Sequence, residues 1–198
     1  VIIKLEGSED MGESEELLGL LESYQAVRRG HFRLSSGKHS DTYVQCALVL
    51  QHPREAERLA DLLAKRFEGV EVDTVFSPAL GGVIIGFMVA RALRCRFVFA
   101  ERKEGRMEIR RGQELHAGER ILLVEDVVTT GGSLDEIAAL AEGMGARVVG
   151  RAALVLRGER EGHEITALLE LPLSTWEPQD CPLCRRGESL EAPGSRHS

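Results

Sequence analysis

The sequence predicts an α/β domain with a central parallel sheet flanked by helices. Short apolar runs at Val72–Phe76, Arg96–Ala100, Arg120–Val124 and Val148–Leu156 have the length and continuous apolar character of strands buried on both faces. Helical stretches at Gly82–Leu93 and from Ser133 to Met144 stand between them, and strand alternating with helix is the pattern of a parallel sheet covered on both sides. A length of 198 residues, 43 % hydrophobic and 29 % charged, fits one such domain with a real core. Sheets of this kind bind ligands outside the carboxyl ends of their strands.

The elements follow in order. Residues 1–13 read as a flexible extension. From Ser14 onward, Leu17, Leu20, Leu21, Tyr24 and Val27 recur at helical spacing and predict an amphipathic helix packed on the domain. A short strand is expected through Thr42–Ala47. The next helix has Pro53 in its first turn and Ala56, Leu59, Leu63 and Phe67 on its core face. Ser133-Leu-Asp-Glu136 reads as a capping box, in which hydroxyl and carboxylate satisfy orphan amides of the first turn, and Gly143 and Gly145 suit that helix's end. Past Leu171, Pro172, Pro178, Pro182 and Pro193 mark residues 172–198 as a loop-rich tail packed on the domain spanning 14–171.

Charge and composition exclude several function classes. A net charge of −7 argues against sequence-independent nucleic-acid binding, which relies on a basic surface. The charge is nevertheless uneven. Arg94, Arg96, Arg102, Lys103, Arg106, Arg110 and Arg111 face only Glu101, Glu104 and Glu108 in one segment, which suits a small polyanionic ligand. The longest apolar run, Val83 to Ala92, is interrupted by Gly86 and Arg91 and is too short to span a bilayer. Val1 to Met11 shows no secretion signal, so a cytoplasmic location is expected. Cys46, Cys95, Cys181 and Cys184 are too scattered for a disulfide scaffold and are expected to be reduced.

The chemistry concentrates between Ile121 and Ser133. A buried strand is expected to end in two carboxylates, Glu125 and Asp126, followed by a hydroxyl- and glycine-rich turn and a helix start. Glycines let backbone amides approach an oxyanion, Thr129, Thr130 and Ser133 add hydroxyl donors, and the helix N-terminus adds partial positive charge. That is a phosphate cradle. Its carboxylates can accept hydrogen bonds from sugar hydroxyls or hold Mg²⁺ through water, so a ribose phosphate satisfies both halves. A tight strand-to-helix turn would not by itself need two adjacent carboxylates. No Lys-Ser or Lys-Thr follows the glycines, which excludes a nucleotide P-loop.

The run Val124-Glu-Asp-Val-Val-Thr-Thr-Gly-Gly-Ser133 resembles the phosphoribosyl pyrophosphate (PRPP) motif of the type I phosphoribosyltransferases. Gly30 to Asp41, Glu101-Arg-Lys-Glu104 with Ile109-Arg-Arg-Gly112, and Leu154-Val-Leu-Arg157 are similar to the orotate enzymes in particular. Thr175-Trp-Glu-Pro178 with Cys181-Pro-Leu-Cys184 is similar to a subset of them, so the resemblance runs from about residue 14 to the end. It implies a small N-terminal hood over the base and transfer of ribose 5-phosphate from PRPP to N1 of orotate, giving orotidine 5′-phosphate and pyrophosphate for pyrimidine biosynthesis. Glu125, Asp126, Val127, Val128, Thr129, Thr130, Gly131, Gly132 and Ser133 would hold PRPP, and Thr129 and Arg157 would contact orotate. Arg102 and Lys103, with Arg106, would lie on a mobile loop closing over pyrophosphate, usually at the neighbouring subunit's site, which implies a homodimer. Arg102, Lys103 and Asp126 would carry catalysis, with Mg²⁺ held mainly by PRPP and not directly by the protein. Lysines of some well-known members are replaced by Ser35 and Gly81, and which of Arg106, Arg110 and Arg111 meets pyrophosphate is left open.

Two other readings use the same cradle. A purine or xanthine phosphoribosyltransferase shares the donor motif, but Ser35-Ser-Gly-Lys38 and Arg157 speak against it. A non-catalytic PRPP-sensing regulator would need a basic reading head, which the acidic first thirty residues do not supply. Elsewhere the signals are plainer. Cys181-Pro-Leu-Cys184 supplies only two of the four ligands of a zinc knuckle and reads as a solvent-accessible thiol pair. Phe32 and Tyr43 could flank a planar base or belong to the core. His31, His39, His52 and His116 have no nucleophile partner, and Arg28, Arg29 and Arg33 read as a solvated face.

Overall fold

In a computed structural model of the chain, residues 8–34, 36–157, 164–171 and 173–193 are described. Ser35, Pro172, His197 and residues 1–7 of the expected extension lie outside the described residues. The chain runs α1 (Ser8–Ser23), β1 (Val27–Arg33), β2 (His39–Val44), α2 (Ala47–Leu50), α3 (Pro53–Lys65), β3 (Thr74–Pro78), α4 (Gly81–Leu93), β4 (Arg96–Lys103) and β5 (Arg106–Ile109). It continues through β6 (Arg120–Val128), α5 (Gly132–Gly143), β7 (Arg147–Arg157), β8 (Thr166–Leu171), β9 (Thr175–Trp176), a 3₁₀ turn (Pro178–Asp180) and α6 (Pro182–Arg185).

The predicted architecture is present. A six-stranded sheet has the order β5-β4-β3-β6-β7-β8, and only the β4–β5 pairing is antiparallel. Side chains of a strand alternate between faces, and β6 shows the result: Leu122 and Val124 pack with Leu59 and Leu63 of α3 and Ile85 and Val89 of α4, whereas Ile121 and Leu123 pack with Leu134, Ile137 and Ala141 of α5. Both faces are covered, so these strands read as unbroken apolar runs. Helix α4 lies close on the sheet. A Cβ at Gly82 would stand 3.0 Å from the Val124 carbonyl oxygen, and one at Gly86 would stand 2.1 Å from Ser77 Oγ.

Several expectations are corrected. Helix α1 begins at Ser8, inside the expected extension, and ends at Ser23; Gln25 then takes a left-handed φ of 56°, which turns the chain so that Val27 opens a strand. The strand expected at Thr42–Ala47 is β2, at His39–Val44, and Ala47 begins α2. Its partner β1 is too polar to be read as a strand, because only Val27, His31 and Phe32 are buried in it. Together β1, β2 and β9 form a three-stranded sheet, the hood. The capping box does not form: Gly131 is the cap, no side chain bonds there, and the Glu136 carboxylate is taken by Arg102. Strand β6 does not end before the carboxylates but continues through Glu125 and Asp126 to Val128.

The basic segment is not structureless either. It is a β-hairpin pairing Arg102 with Met107 and Lys103 with Arg106, turned by Glu104 and Gly105 at φ values of 48° and 84°. Two left-handed residues in a two-residue turn match the twist of paired strands. Met107 and Ile109 pack against the core cluster of α5, which anchors the hairpin.

Candidate functional site at the carboxyl edge of the sheet

Between β3 and β6 the strand order reverses: α4 leaves β3 onto one face, and α5 leaves β6 onto the other. Such a switch point opens a crevice at the carboxyl ends of the strands. Two turns border it, 78–81 after β3 and 128–132 after β6. The Ala79–Leu80 peptide bond in the first is cis. In the second, Gly131 adopts φ 83°, a left-handed conformation that costs glycine nothing, and its carbonyl accepts from the Asp135 amide at 2.9 Å. The amides of the first turn of α5 thus have no partner within the helix and point outward at its positive end. Thr129 and Thr130 are exposed beside them.

The two carboxylates sit at the inner rim. Asp126 lies so close to α4 that a Cβ at Gly81 would be 2.4 Å from its Oδ1, so a side chain there would displace the carboxylate. Burial pushes the Asp126 carboxyl up, against the opposing pull of the Val127 and Asp126 amides. Glu125 is pushed up to about 8, first by burial and then by the neighbouring Asp126 charge. Among the described residues neither forms a salt bridge, so both are available to sugar hydroxyls.

Parallel pairing of β6 with β7 sets Val128 opposite Leu156, which brings Arg157 level with Thr129 at the same edge. The Arg157 guanidinium is largely buried, its Nε has no hydrogen-bond partner among the described residues, and burial pulls its pKa down with Tyr43 opposing. A buried cation without an acidic partner is costly unless a ligand completes it. A planar carboxylate matches its fork bidentately.

The cationic hairpin is placed differently. Arg102 reaches from β4 to Glu136 on α5, and Arg111 is clamped on Glu101 by two 2.8 Å hydrogen bonds. Lys103, Arg106 and Arg110 are exposed and form no salt bridge among the described residues. The residues of the cradle and Arg157 are therefore together, whereas Lys103 and Arg106 stand at the hairpin tip. Sequence reasoning missed Gly81 as the neighbour of Asp126 and Glu136 as the partner of Arg102; both contacts are tertiary and leave no local signal. Phe32 is fully buried and belongs to the core, with the Arg28 guanidinium 5.2 Å from its ring centroid. Arg28 also pairs with Glu191 at 2.7 Å, so it belongs to the contact with the tail and not to an open solvated face.

The family model for the phosphoribosyl transferase domain matches residues 47–183, which span the parallel sheet, the paired carboxylates and the glycine turn at its switch point, and so defines a phosphoribosyltransferase domain. The chain is 44 % identical to the orotate phosphoribosyltransferase of Caldanaerobacter subterraneus subsp. tengcongensis over 93 % of this chain and 98 % of that one. It is 45 % identical to that of Desulforamulus reducens over 92 % of this chain and 97 % of the other. The crystal structure of Mycobacterium tuberculosis orotate phosphoribosyltransferase in complex with inorganic phosphate superposes with a TM-score of 0.63 at 27 % identity, covering 81 % of this chain and 96 % of that one. The chain belongs to the orotate phosphoribosyltransferase family.

Proposed function

We propose that this enzyme transfers ribose 5-phosphate from PRPP to N1 of orotate, releasing pyrophosphate and forming orotidine 5′-phosphate for pyrimidine biosynthesis in the cytoplasm. The observation that carries the acceptor is Arg157, largely buried at the edge of the cradle with no acidic partner among the described residues, where the orotate carboxylate supplies the missing charge. The cradle from Thr129 to Ser133 takes the 5-phosphate, and Glu125 and Asp126 hold the ribose hydroxyls. As the C1–pyrophosphate bond breaks, the ribose gains oxocarbenium character, which the nearby carboxylates stabilise in their ionised form, the form that a cation beside them favours against the upward shift of Glu125.

The carboxylates also fit a divalent ion carried in with PRPP, since both are half-buried at the rim without a cationic partner among the described residues. When bound there, Mg²⁺ would supply charge neutralisation for the leaving pyrophosphate. Lys103 and Arg106 are the cations of the hairpin tip without a carboxylate partner among the described residues, and with Arg102 they complete a lid over pyrophosphate. A homodimer in which that lid serves the neighbouring subunit agrees with the exposed apolar face of Leu80, Ile84 and Phe87 at the start of α4. Phe87→Glu is expected to yield monomers by light scattering.

The test is turnover with PRPP and Mg²⁺ on a panel of orotate, adenine, guanine, xanthine and uracil. Orotate alone should be consumed. Consumption of a purine instead overturns the assignment of Arg157, and PRPP binding without turnover of any base would indicate a sensor.

A further inference from the structure

Four side chains that the transfer reaction does not use converge between the hood and the tail. They are His31 of β1, His39 of β2, and Cys181 and Cys184 at the start of α6. One ligating atom from each lies within 4.8 Å of all the others. His31 Nε2 is 3.0 Å from His39 Nδ1 and 3.5 and 3.6 Å from the sulfurs of Cys181 and Cys184, and Cys184 Sγ is 3.3 Å from His39 Nδ1. A tetrahedral zinc ion with bonds of about 2.0–2.1 Å to nitrogen and about 2.3 Å to sulfur has N···N and N···S edges of roughly 3.4 and 3.6 Å.

Hydrogen bonding does not account for the cluster. His31 Nδ1 lies 3.0 Å from the Glu188 carbonyl oxygen, which can only accept, so Nδ1 carries the proton. In the neutral ring Nε2 then has one lone pair, and three groups crowd it: the His39 nitrogen and both thiols. Protonating the ring leaves one N–H for the same three. A cation at the centre accepts all four lone pairs at once, and two thiolates with two neutral imidazoles cancel its charge in a place where His31, His39 and Cys181 are buried. The Glu188 contact is itself the outer-shell bond that fixes a metal-binding imidazole.

The fold builds this geometry deliberately. The β1–β2 register slips between Arg29 and Phe32, and the bulge buries His31 and Phe32, two consecutive residues that regular alternation would send to opposite faces. Backbone pairing brings in the tail on both sides: His39 and Ser40 pair with Trp176 and Thr175, while Glu191 exchanges 2.8 Å hydrogen bonds with His31 and Arg33.

We propose that His31, His39, Cys181 and Cys184 form a structural zinc site that staples the tail to the hood. Soft thiolates with imidazoles select zinc over magnesium, and four protein ligands leave no open position for water, so the site is closed and not catalytic. The sequence reading of a solvent-accessible thiol pair is thereby replaced, since Cys181 is fully buried and the second ligand pair comes from the far end of the chain.

The test uses the full-length enzyme purified without chelator. Elemental analysis should find one zinc per chain, and Cys184→Ser should lose it. Should that variant fold poorly, the wild type still decides: after removal of its metal, Co²⁺ should titrate to one equivalent with the intense visible bands of a tetrahedral thiolate site, and Zn²⁺ should abolish them while excess Mg²⁺ does not. Metal-free protein as isolated together with a silent cobalt titration overturns the proposal, as does a Cys181–Cys184 disulfide in the active enzyme.

Discussion

Arg102 is held to Glu136 by two parallel hydrogen bonds, Nη1 to Oε2 at 2.9 Å and Nη2 to Oε1 at 2.8 Å, and its Nη1 also donates to the Gly105 carbonyl at 2.7 Å. The bond to Glu136 raises the Arg102 pKa. It also holds the guanidinium on α5, so the lid role proposed for Arg102 requires it to leave Glu136. Arg102→Ala is expected to lower kcat by about 10²–10³, the effect of losing one transition-state contact. Glu136→Gln frees the arginine at a cost of only about 0.2–1 kcal/mol, because the pair is partly exposed. Steady-state kinetics should therefore show kcat/KM for PRPP kept or raised in Glu136→Gln, and a collapse there would make the pair structural.

Arg157 gives a prediction with two opposite signs. Arg157→Met removes the partner proposed for the orotate carboxylate, and kcat/KM for orotate should fall by roughly 10²–10³ while PRPP binding persists. The same substitution removes a largely buried charge that has no acidic partner among the described residues, so the melting temperature of the ligand-free enzyme should rise. Loss of both activity and stability would show that Arg157 supports the fold and not the acceptor.

Glu125 makes stability depend on pH in an unusual direction. Its carboxyl is pushed up to about 8 in the folded chain, against about 4.3 when unfolded, so the unfolded chain releases this proton more readily. Folding stability from this group is fully present below the unfolded value, falls as pH rises, and is lost once pH passes the folded value. Glu125→Gln cannot ionise. Between pH 5 and about 8.5 its melting temperature should decline less steeply than that of the wild type and exceed it at the upper end. Parallel melting curves across that range would refute the shift.

Much of this was legible in the sequence because the relevant residues are neighbours in the chain. Glu125 to Ser133 lie in one strand-turn-helix, and the unbroken apolar character of Ile121–Val124 announces a strand covered on both faces. Legibility fails where a contact is tertiary. Val27–Arg33 shows no strand pattern because its bulge and its Arg-rich face serve the hood, and Thr166–Leu171 carried no turn signal that set it apart. Ser133 and Glu136 have the spacing of a capping box, but the helix starts at Gly132 with Gly131 as its cap, so Ser133 lies inside the first turn and Glu136 pairs with Arg102 instead. His31 and His39 had no visible relation to Cys181 and Cys184 until β9 and Glu191 closed the chain on itself.

Gly81 separates packing from chemistry at the other side of the crevice. An added Cβ would stand 2.4 Å from Asp126 Oδ1 and 3.0 Å from its Cγ, so this half-buried carboxylate near the end of β6 would have to shift. Gly81→Ala therefore has to displace Asp126 or lift the first turn of α4, an overpacking that costs roughly 1–3 kcal/mol. If Asp126 holds the ribose, the displacement should also raise KM for PRPP while leaving Phe32 and the hood untouched. Gly81→Ala/Asp126→Ala should then recover the stability lost in the single variant without recovering activity. Recovery of activity in the double variant would remove Asp126 from the transfer reaction and leave Glu125 as the residue that holds the sugar.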